Sequence, residues 1–413
     1  MKRDLMITFI TEFSVLVSGI LVYKLAASLF GNMGFSEYAL SRRAVSFIQP
    51  ALLLGLGVGI PRYIAYSAND KIKSDSYFLA GFLVLLVASA AFFILFNLNS
   101  KTVSFLIFGS NGYAFLVYPI SLMLFGLVLH ALTYSYFRGH MMMIKANILQ
   151  IINMGVIPLI VFYISDTVSA LLYYTGMLWI IVSCIFLFLV FRKIRVSFSK
   201  LFERTEELFI YGIQRVPGDF GLAGLLSLPA FFTSHIGSVK EAGYVSFGVS
   251  LLNMIGAAFA PIGIILLPKA SQLIASKSWD ILERYTKNIL KISVFLTASG
   301  VILFEVFAKD ILALYLGKEL SDIVFIVRIL IISAVGYNIY IATRSIIDAI
   351  YVKAINTRNI ILSLSLFVVV TSVALIFFKS PTAVILSFNG AMFFLSALTL
   401  YEIKTKTHNI KFG

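Results

Sequence analysis

A single cysteine, Cys184, leaves this chain no intramolecular disulfide and no cysteine-built metal cluster. Charge is scarce too: 13% of residues are Asp, Glu, Lys or Arg, against roughly 25% in soluble domains, while 60% are hydrophobic. A soluble fold is thereby excluded. No Gly-rich loop ends in Gly-Lys-Ser/Thr, so the phosphate-binding loop of ATP-driven proteins is missing. The four histidines are dispersed, His130 inside an apolar stretch and His140, His235 and His408 in or near loops, without metal-ligand spacing. No catalytic residue, metal ligand or bound cofactor is assigned. Long polar loops are also missing, since the largest, near 192–207 and 268–285, fall well short of the roughly 50 residues of a small domain.

What the chain has instead is apolar runs of the roughly 20 residues needed to span a bilayer. Twelve are placed near 5–30, 36–62, 76–97, 113–137, 144–164, 168–191, 208–232, 241–267, 286–307, 323–350, 358–378 and 381–401. The fold class is therefore an all-α polytopic membrane protein with about 12 transmembrane helices. Met1-Lys2-Arg3 could open a signal peptide, but the run behind it is long and interrupted by Glu12 and Lys24, so the first helix is expected to stay. With the N-terminus inside, the inner loops carry most loop cations, including Arg62, Lys71, Lys73, Arg192, Lys193, Arg195, Lys269, Lys277, Lys353 and Arg358. The outer loops carry only Lys101, Lys240, Lys309, Lys318 and Lys379. That bias places both termini in the cytoplasm. The net charge of +14 is then mostly topology, and no nucleic-acid partner is implied.

The loop 192–207 mixes cations with Glu203, Glu206 and Glu207 and divides the chain into six apolar segments on either side. It reads as a solvated cytoplasmic linker between an N-terminal lobe, 1–191, and a C-terminal lobe, 208–413. The second helix of each half runs from a tyrosine through glycine-rich apolar sequence to proline and a cation, Tyr38 to Pro61-Arg62 and Tyr244 to Pro268-Lys269. This spacing suggests a parallel internal repeat.

Against that background, Lys24, Arg42, Arg43, Arg215, Arg328 and Arg344 lie inside the apolar segments. A cation at a helix centre costs roughly 2.5–3.5 kcal/mol on the insertion scale, so several together need a reason. A cationic route for an anionic substrate supplies one. Snorkelling or lobe packing is the competing reading for Lys24, Arg42, Arg43 and Arg328, which lie one to two turns from the outer boundary. Arg42 and Arg43 point about 100° apart on a helix, so one of the two is expected to face a cavity. Arg215 and Asp219, and again Arg344 and Asp348, stand four residues apart, a spacing that permits ion pairs. Pro217 and Gly218 lie between the first pair and are read as a hinge. Glu12, with no basic neighbour in sequence, is a candidate for coupling to a proton or sodium gradient, Glu305 a weaker one. A hydrogen bond lining the lobe is the alternative for Glu12.

The stretch Gly34-Phe35-Ser36-Glu37-Tyr38-Ala39-Leu40 into Gly55-Leu56-Gly57-Val58-Gly59-Ile60-Pro61-Arg62-Tyr63, and Tyr211-Gly212-Ile213-Gln214-Arg215-Val216-Pro217-Gly218-Asp219, resemble the bacterial polysaccharide (O-antigen) flippases. These are lipid-linked oligosaccharide translocases of the multidrug/oligosaccharidyl-lipid/polysaccharide exporter superfamily. The resemblance implies a V-shaped pair of pseudo-symmetric six-helix bundles around a central cavity, working by alternating access in the bacterial inner membrane. It also implies an oligosaccharide on undecaprenyl pyrophosphate as cargo, with other polysaccharide assembly proteins as possible partners of an expected monomer. Guanidinium groups suit the pyrophosphate, since they bond phosphate oxygens bidentately. Tyr337, Asn338 and Tyr340 would meet the sugar, or else form a packing seam. Other readings are a flippase for another polyprenyl-linked cargo, a multidrug cation antiporter on the same fold, and a membrane glycosyltransferase or polymerase. Cavity acids would favour the antiporter, and a large outer loop would favour the enzyme.

Overall fold

The computed structural model describes the backbone of residues 2–194, 200–317, 322–351 and 353–412. Within the helices, side chains are described except those of 2–5, 258, 260–265, 267, 268, 275 and 406–412. Among the described residues every regular element is helical. In hydrocarbon a helix satisfies its own backbone hydrogen bonds, which is why apolar segments of this length take no other form. The contacts divide the chain into two compact units, Met1–Ala223 and Gly224–Gly413. The division falls inside a helix, downstream of the charged stretch 192–207.

The first unit comprises α1 (Lys2–Leu53), α2 (Leu56–Tyr66), α3 (Lys71–Leu98), α4 (Ser100–Phe108), α5 (Val117–Gly139), α6 (Met143–Gln150), α7 (Ile157–Ile160), α8 (Val168–Phe191), α9 (Leu201–Ile213) and the start of α10 (Val216–Ile236). A π-helical turn, Ile151–Val156, links α6 to α7. Asp70 caps α3 by accepting from Lys73 N, and Thr167 caps α8 by accepting from Ala170 N. Helix α5 is the hub, buried along most of its length and packed on α1, α2, α3, α6 and α8. Its approach to α8 runs through Gly126 and Gly176, where a Cβ on either would meet the other helix's backbone. Small residues at helix crossings in membranes serve this close packing.

The second unit holds the rest of α10, then α11 (Val239–Ala275), α12 (Trp279–Leu316), α13 (Ile323–Ile331), α14 (Ser333–Ile350), α15 (Ile355–Phe377) and α16 (Pro381–Phe412). Its hub is α14, packed on α11, α12, α15 and α16. In each half of the sequence the hub is thus the fourth apolar segment, 113–137 in one and 323–350 in the other. That correspondence is what a duplicated six-helix unit would produce.

Nine described helices are long and apolar enough to cross a membrane, or ten if the pair α13 and α14, bent by 43°, makes one span. The twelve expected segments all fall on helix, and with α13 and α14 taken as one span the difference in count has two sources. The first two segments merge into α1, which is bent at Gly31 (φ 63°, ψ −168°). The eighth lies in α11, several of whose side chains are outside those described. The expectation of a solvated linker needs correcting at its end: α9 begins at Leu201, and Arg204 donates to Tyr77 Oη (3.1 Å) and Glu207 (3.0 Å), whose carboxylate also accepts from Tyr77. That triad ties the amphipathic α9 to α3.

The two stretches that carried the family resemblance meet in space. α1 ends at Leu54 and Gly55, both with positive φ (51° and 69°), and α9 ends at Ile213 before α10 opens at Val216. A Cβ on Gly55 would collide with the Gly212 carbonyl oxygen, and one on Gly212 with the Leu54 carbonyl oxygen. The Arg62 guanidinium lies 4.7 Å from the centre of the Tyr211 ring, and Tyr63 packs edge-on to the same ring. Pro217 stands in the first turn of α10, where its missing N–H costs nothing. The break itself lies one turn earlier, at Gln214 and Arg215.

Candidate functional site

In α1, Arg42, Val45, Ser46 and Gln49 recur at i, i+3, i+4 and i+7 and so share one face. A matching face of α5 presents Met123, Leu127, His130, Ala131, Tyr134 and Ser135. Together with Gly57, Gln150, Met154 and Trp179 they line a half-open cavity of ≈ 330 Å³ inside the first unit. Arg42 is the one charged side chain among the described lining residues. Its Nη1 donates to Tyr38 Oη (3.0 Å), and its guanidinium carbon stands 5.8 Å from the Tyr38 ring centre and 5.9 Å from that of Tyr23. Such ring contacts stabilise a desolvated cation by about 0.5–2 kcal/mol, and with only one hydroxyl bonded the fork keeps donors for an anion.

The cavity wall also carries a polar network. His130, 6% exposed, places Nε2 3.0 Å from Gln150 Oε1 and Nδ1 3.1 Å from Asn153 Nδ2. Asn153 Nδ2 also donates to Ser183 Oγ (3.1 Å), and Trp179 Nε1 donates to the Asn153 carbonyl. Gln150 and Asn153 stand three residues apart, a spacing that places both on one helix face toward the same imidazole.

The other sequence candidates are scattered. Arg43 is buried and is not among the cavity-lining residues. Lys24 is exposed on α1. Arg328 Nε is ion-paired with Glu305 (2.7 Å) across α12 and α13. Arg215 is exposed at the α9–α10 break, and its carbonyl accepts from Gly218 N and Asp219 N. Arg344 and Asp348 are not ion-paired to one another among the described contacts. Asn356 Nδ2 instead donates to both the Asp348 carboxylate (2.7 Å) and the Arg344 carbonyl (2.9 Å). Pro217 and Gly218 open α10, as described. Glu12 is exposed, and the fold brings it a basic neighbour absent from its sequence surroundings, Arg138 at the end of α5.

Tyr337, Asn338 and Tyr340 lie on the hub helix α14 and are buried. Tyr337 Oη donates to Asn253 Oδ1 (3.3 Å), while Asn338 Nδ2 donates to Ser293 Oγ (3.1 Å) and to Thr297 Oγ1. Those groups are engaged in helix–helix contacts. Sequence reasoning did not single out Gln49, Gln150, Asn153, Tyr134 or Trp179, and took His130 as isolated. The available signal was the i, i+4, i+7 spacing of Arg42, Ser46 and Gln49, which puts three polar side chains on one face of α1.

No protein-family model matches the sequence, and no curated protein matches it. Among solved structures, the chain is similar to an inward-facing multidrug resistance MATE family transporter of the MOP superfamily (TM-score 0.79, 15% identity, 97% of this chain and 98% of that one). It is also similar to the eukaryotic MATE transporter AtDTX14 (TM-score 0.69, 12% identity, 99% and 97% covered) and to a MATE protein in complex with MaL6 (0.67, 15%, 97% and 95%). These solved structures are described as transporters or MATE proteins, none as an enzyme. At such identities the likeness is one of fold, and the narrower resemblance to polysaccharide flippases does not follow from it. The chain has the all-helical fold of the MATE transporters of the MOP superfamily.

Proposed function

We propose that this protein is a multi-pass membrane transporter working by alternating access, and that the cavity of its first unit receives an anionic group of the cargo. The observation carrying the reading is Arg42, a guanidinium held by two tyrosines in a cavity with no carboxylate among its described lining residues. A lipid-linked oligosaccharide, whose pyrophosphate suits a guanidinium fork, is the cargo favoured by the sequence resemblance. The proposed setting is a bacterial inner membrane, with a proton or sodium gradient as the drive.

A second reading has a specific observation behind it: solved structures of the same fold are described as multidrug resistance transporters. On that reading the cavity takes diverse amphipathic molecules, and it fits these neighbours better than the flippase reading does. The sign of the cavity charge separates the two for organic cations. Proteoliposomes would be assayed for movement of a lipid-linked pyrophosphoryl oligosaccharide and of ethidium. The flippase reading expects the anion to move, Arg42→Gln to reduce its transport at least about tenfold, and Arg42→Lys to rescue it only in part. Ethidium transport insensitive to Arg42→Gln, with no anion movement, would refute the anionic reading in favour of the multidrug one.

A further inference from the structure

The polar network behind the cavity contains a group that can change charge. His130 Nδ1 faces the amide nitrogen of Asn153, a donor, so Nδ1 accepts and the ring proton sits on Nε2, donated to Gln150 Oε1. This is the neutral imidazole. Asn153 is fully buried, and its Oδ1 has no hydrogen-bond partner among the described residues. A buried amide with one orphan acceptor is not locked in this orientation. Turned over, Oδ1 would accept from a protonated Nδ1–H and from the Ser183 hydroxyl, so the same number of bonds is made and the two N–H donors take the unpartnered place of the oxygen. The two orientations are balanced in hydrogen bonds, and the proton on His130 decides between them.

The groups facing His130 do not neutralise such a proton. From α1 comes Arg42, with the Tyr38 and Tyr23 hydroxyls behind it. From α5 comes Tyr134, its ring stacked on the imidazole at 5.6 Å. From α2 comes Gly57, from α6 and the π turn Gln150, Asn153 and Met154, and from α8 Trp179 and Ser183. No carboxylate is among them.

We infer that His130 and Asn153 form a proton-binding site that raises the affinity of the Arg42 cavity for anions. Protonation puts a second positive charge on the cavity wall, and a bound anion in turn favours the proton, because coupling between two sites is reciprocal. The inference rests on the anionic reading of the cavity and gives its coupling a sign. Proton and anion bind together, the opposite of competition between a proton and a cation for one carboxylate.

The test uses the full-length protein in nanodiscs, with inorganic sulfate as the probe because it does not titrate between about pH 3.5 and 8, a window extended to the acid side because the imidazole is buried and faces no carboxylate. Sulfate binding is measured by calorimetry across that range, and the imidazole resonances are followed by NMR with histidine labelled, His130→Gln assigning the signal. The expected result is sulfate affinity rising about tenfold on acidification, within the usual range of coupling between sites. The rise should coincide with titration of the His130 signal and be flat in His130→Gln. Gln150→Glu, which sets a carboxylate against Nε2, should move the midpoint to higher pH, and it covers the case in which His130→Gln does not fold. Sulfate binding that depends on Arg42 but not on pH would refute the inference and leave the anion cavity standing. An imidazole signal that stays neutral throughout would refute it as well. Absence of any sulfate binding sensitive to Arg42→Gln would overturn the cavity reading and the inference with it.

Discussion

Replacing Gly55 by alanine should be among the most damaging single-methyl changes in the first unit. The position has φ 69°, ψ 0°, and an alanine there incurs the left-handed penalty of about 1–2 kcal/mol. Its Cβ would also strike the carbonyl oxygen of Gly212. Backbone cannot rotate away as a side chain can, so overpacking adds about 1–3 kcal/mol, for a total of roughly 2–5 kcal/mol. Two neighbours serve as controls. Gly212 is helical, so Gly212→Ala escapes the left-handed penalty and meets the Leu54 carbonyl and the more yielding Leu56 Cδ2 at 3.0 Å, offset by about 0.5–1 kcal/mol of helix propensity. Gly57 is helical with its Cβ direction open except for Leu53 Cδ1 at 3.9 Å, so Gly57→Ala should be neutral or slightly stabilising. Thermal unfolding of the purified protein in mild detergent, followed by tryptophan fluorescence, should rank the midpoints with Gly57→Ala at or above wild type, then Gly212→Ala, then Gly55→Ala lowest by several degrees. A Gly55→Ala midpoint within a degree of wild type would refute both the strain and the contact between the two helix breaks.

Asn338→Leu should lower the same midpoint modestly, by about 1 kcal/mol of lost bonding to Ser293 and Thr297; unchanged stability with lost cargo transport would return Asn338 to the role of contact residue. Burial holds the His140 imidazole below its ordinary value despite the opposing attraction of Asp75. Because the folded form resists the proton, the stabilisation is present above the unfolded value near 6.5 and lost as pH falls through the depressed one. Midpoints measured from pH 7.5 to 5 should therefore fall more steeply for wild type than for His140→Gln. Glu305→Gln breaks a half-exposed pair with Arg328 and should cost no more than about 1 kcal/mol in the same melt. Glu12→Gln should leave the pH dependence of sulfate binding intact, since Glu12 does not line the Arg42 cavity.

The membrane character and the helical segments were legible because each segment satisfies its backbone internally, and apolar length alone sets where it runs. The break near Arg215 was legible from Pro217 and Gly218, though the helix ends one turn before them, because proline is tolerated in a first turn. The cavity was legible only in part. Arg42 was one of six embedded cations, equivalent in sequence to Arg43, Arg328 and Lys24 and ranked behind Arg215 and Arg344, neither of which lines this cavity; only the neighbours supplied by other helices set it apart. A Glu305 partner for Arg328 or a tyrosine pair for Arg42 comes from the packing, not from the local sequence. The aromatic and amide cluster 337–340 allowed two readings from its composition, a sugar contact or a packing seam between helices; its place on the hub helix is what sets Tyr337 against Asn253 and Asn338 against Ser293 and Thr297.

Composition and periodicity by themselves determined that this protein is a bundle of membrane helices with cations embedded in it, because hydrocarbon admits little else and burying charge is costly. Which helix became the centre of each unit, which arginine acquired a cavity, and that His130 sits against Gln150 and Asn153 were decided by the tertiary structure. Those facts depend on contacts between residues far apart in the chain, where the rotation of each helix against its neighbours fixes what faces what.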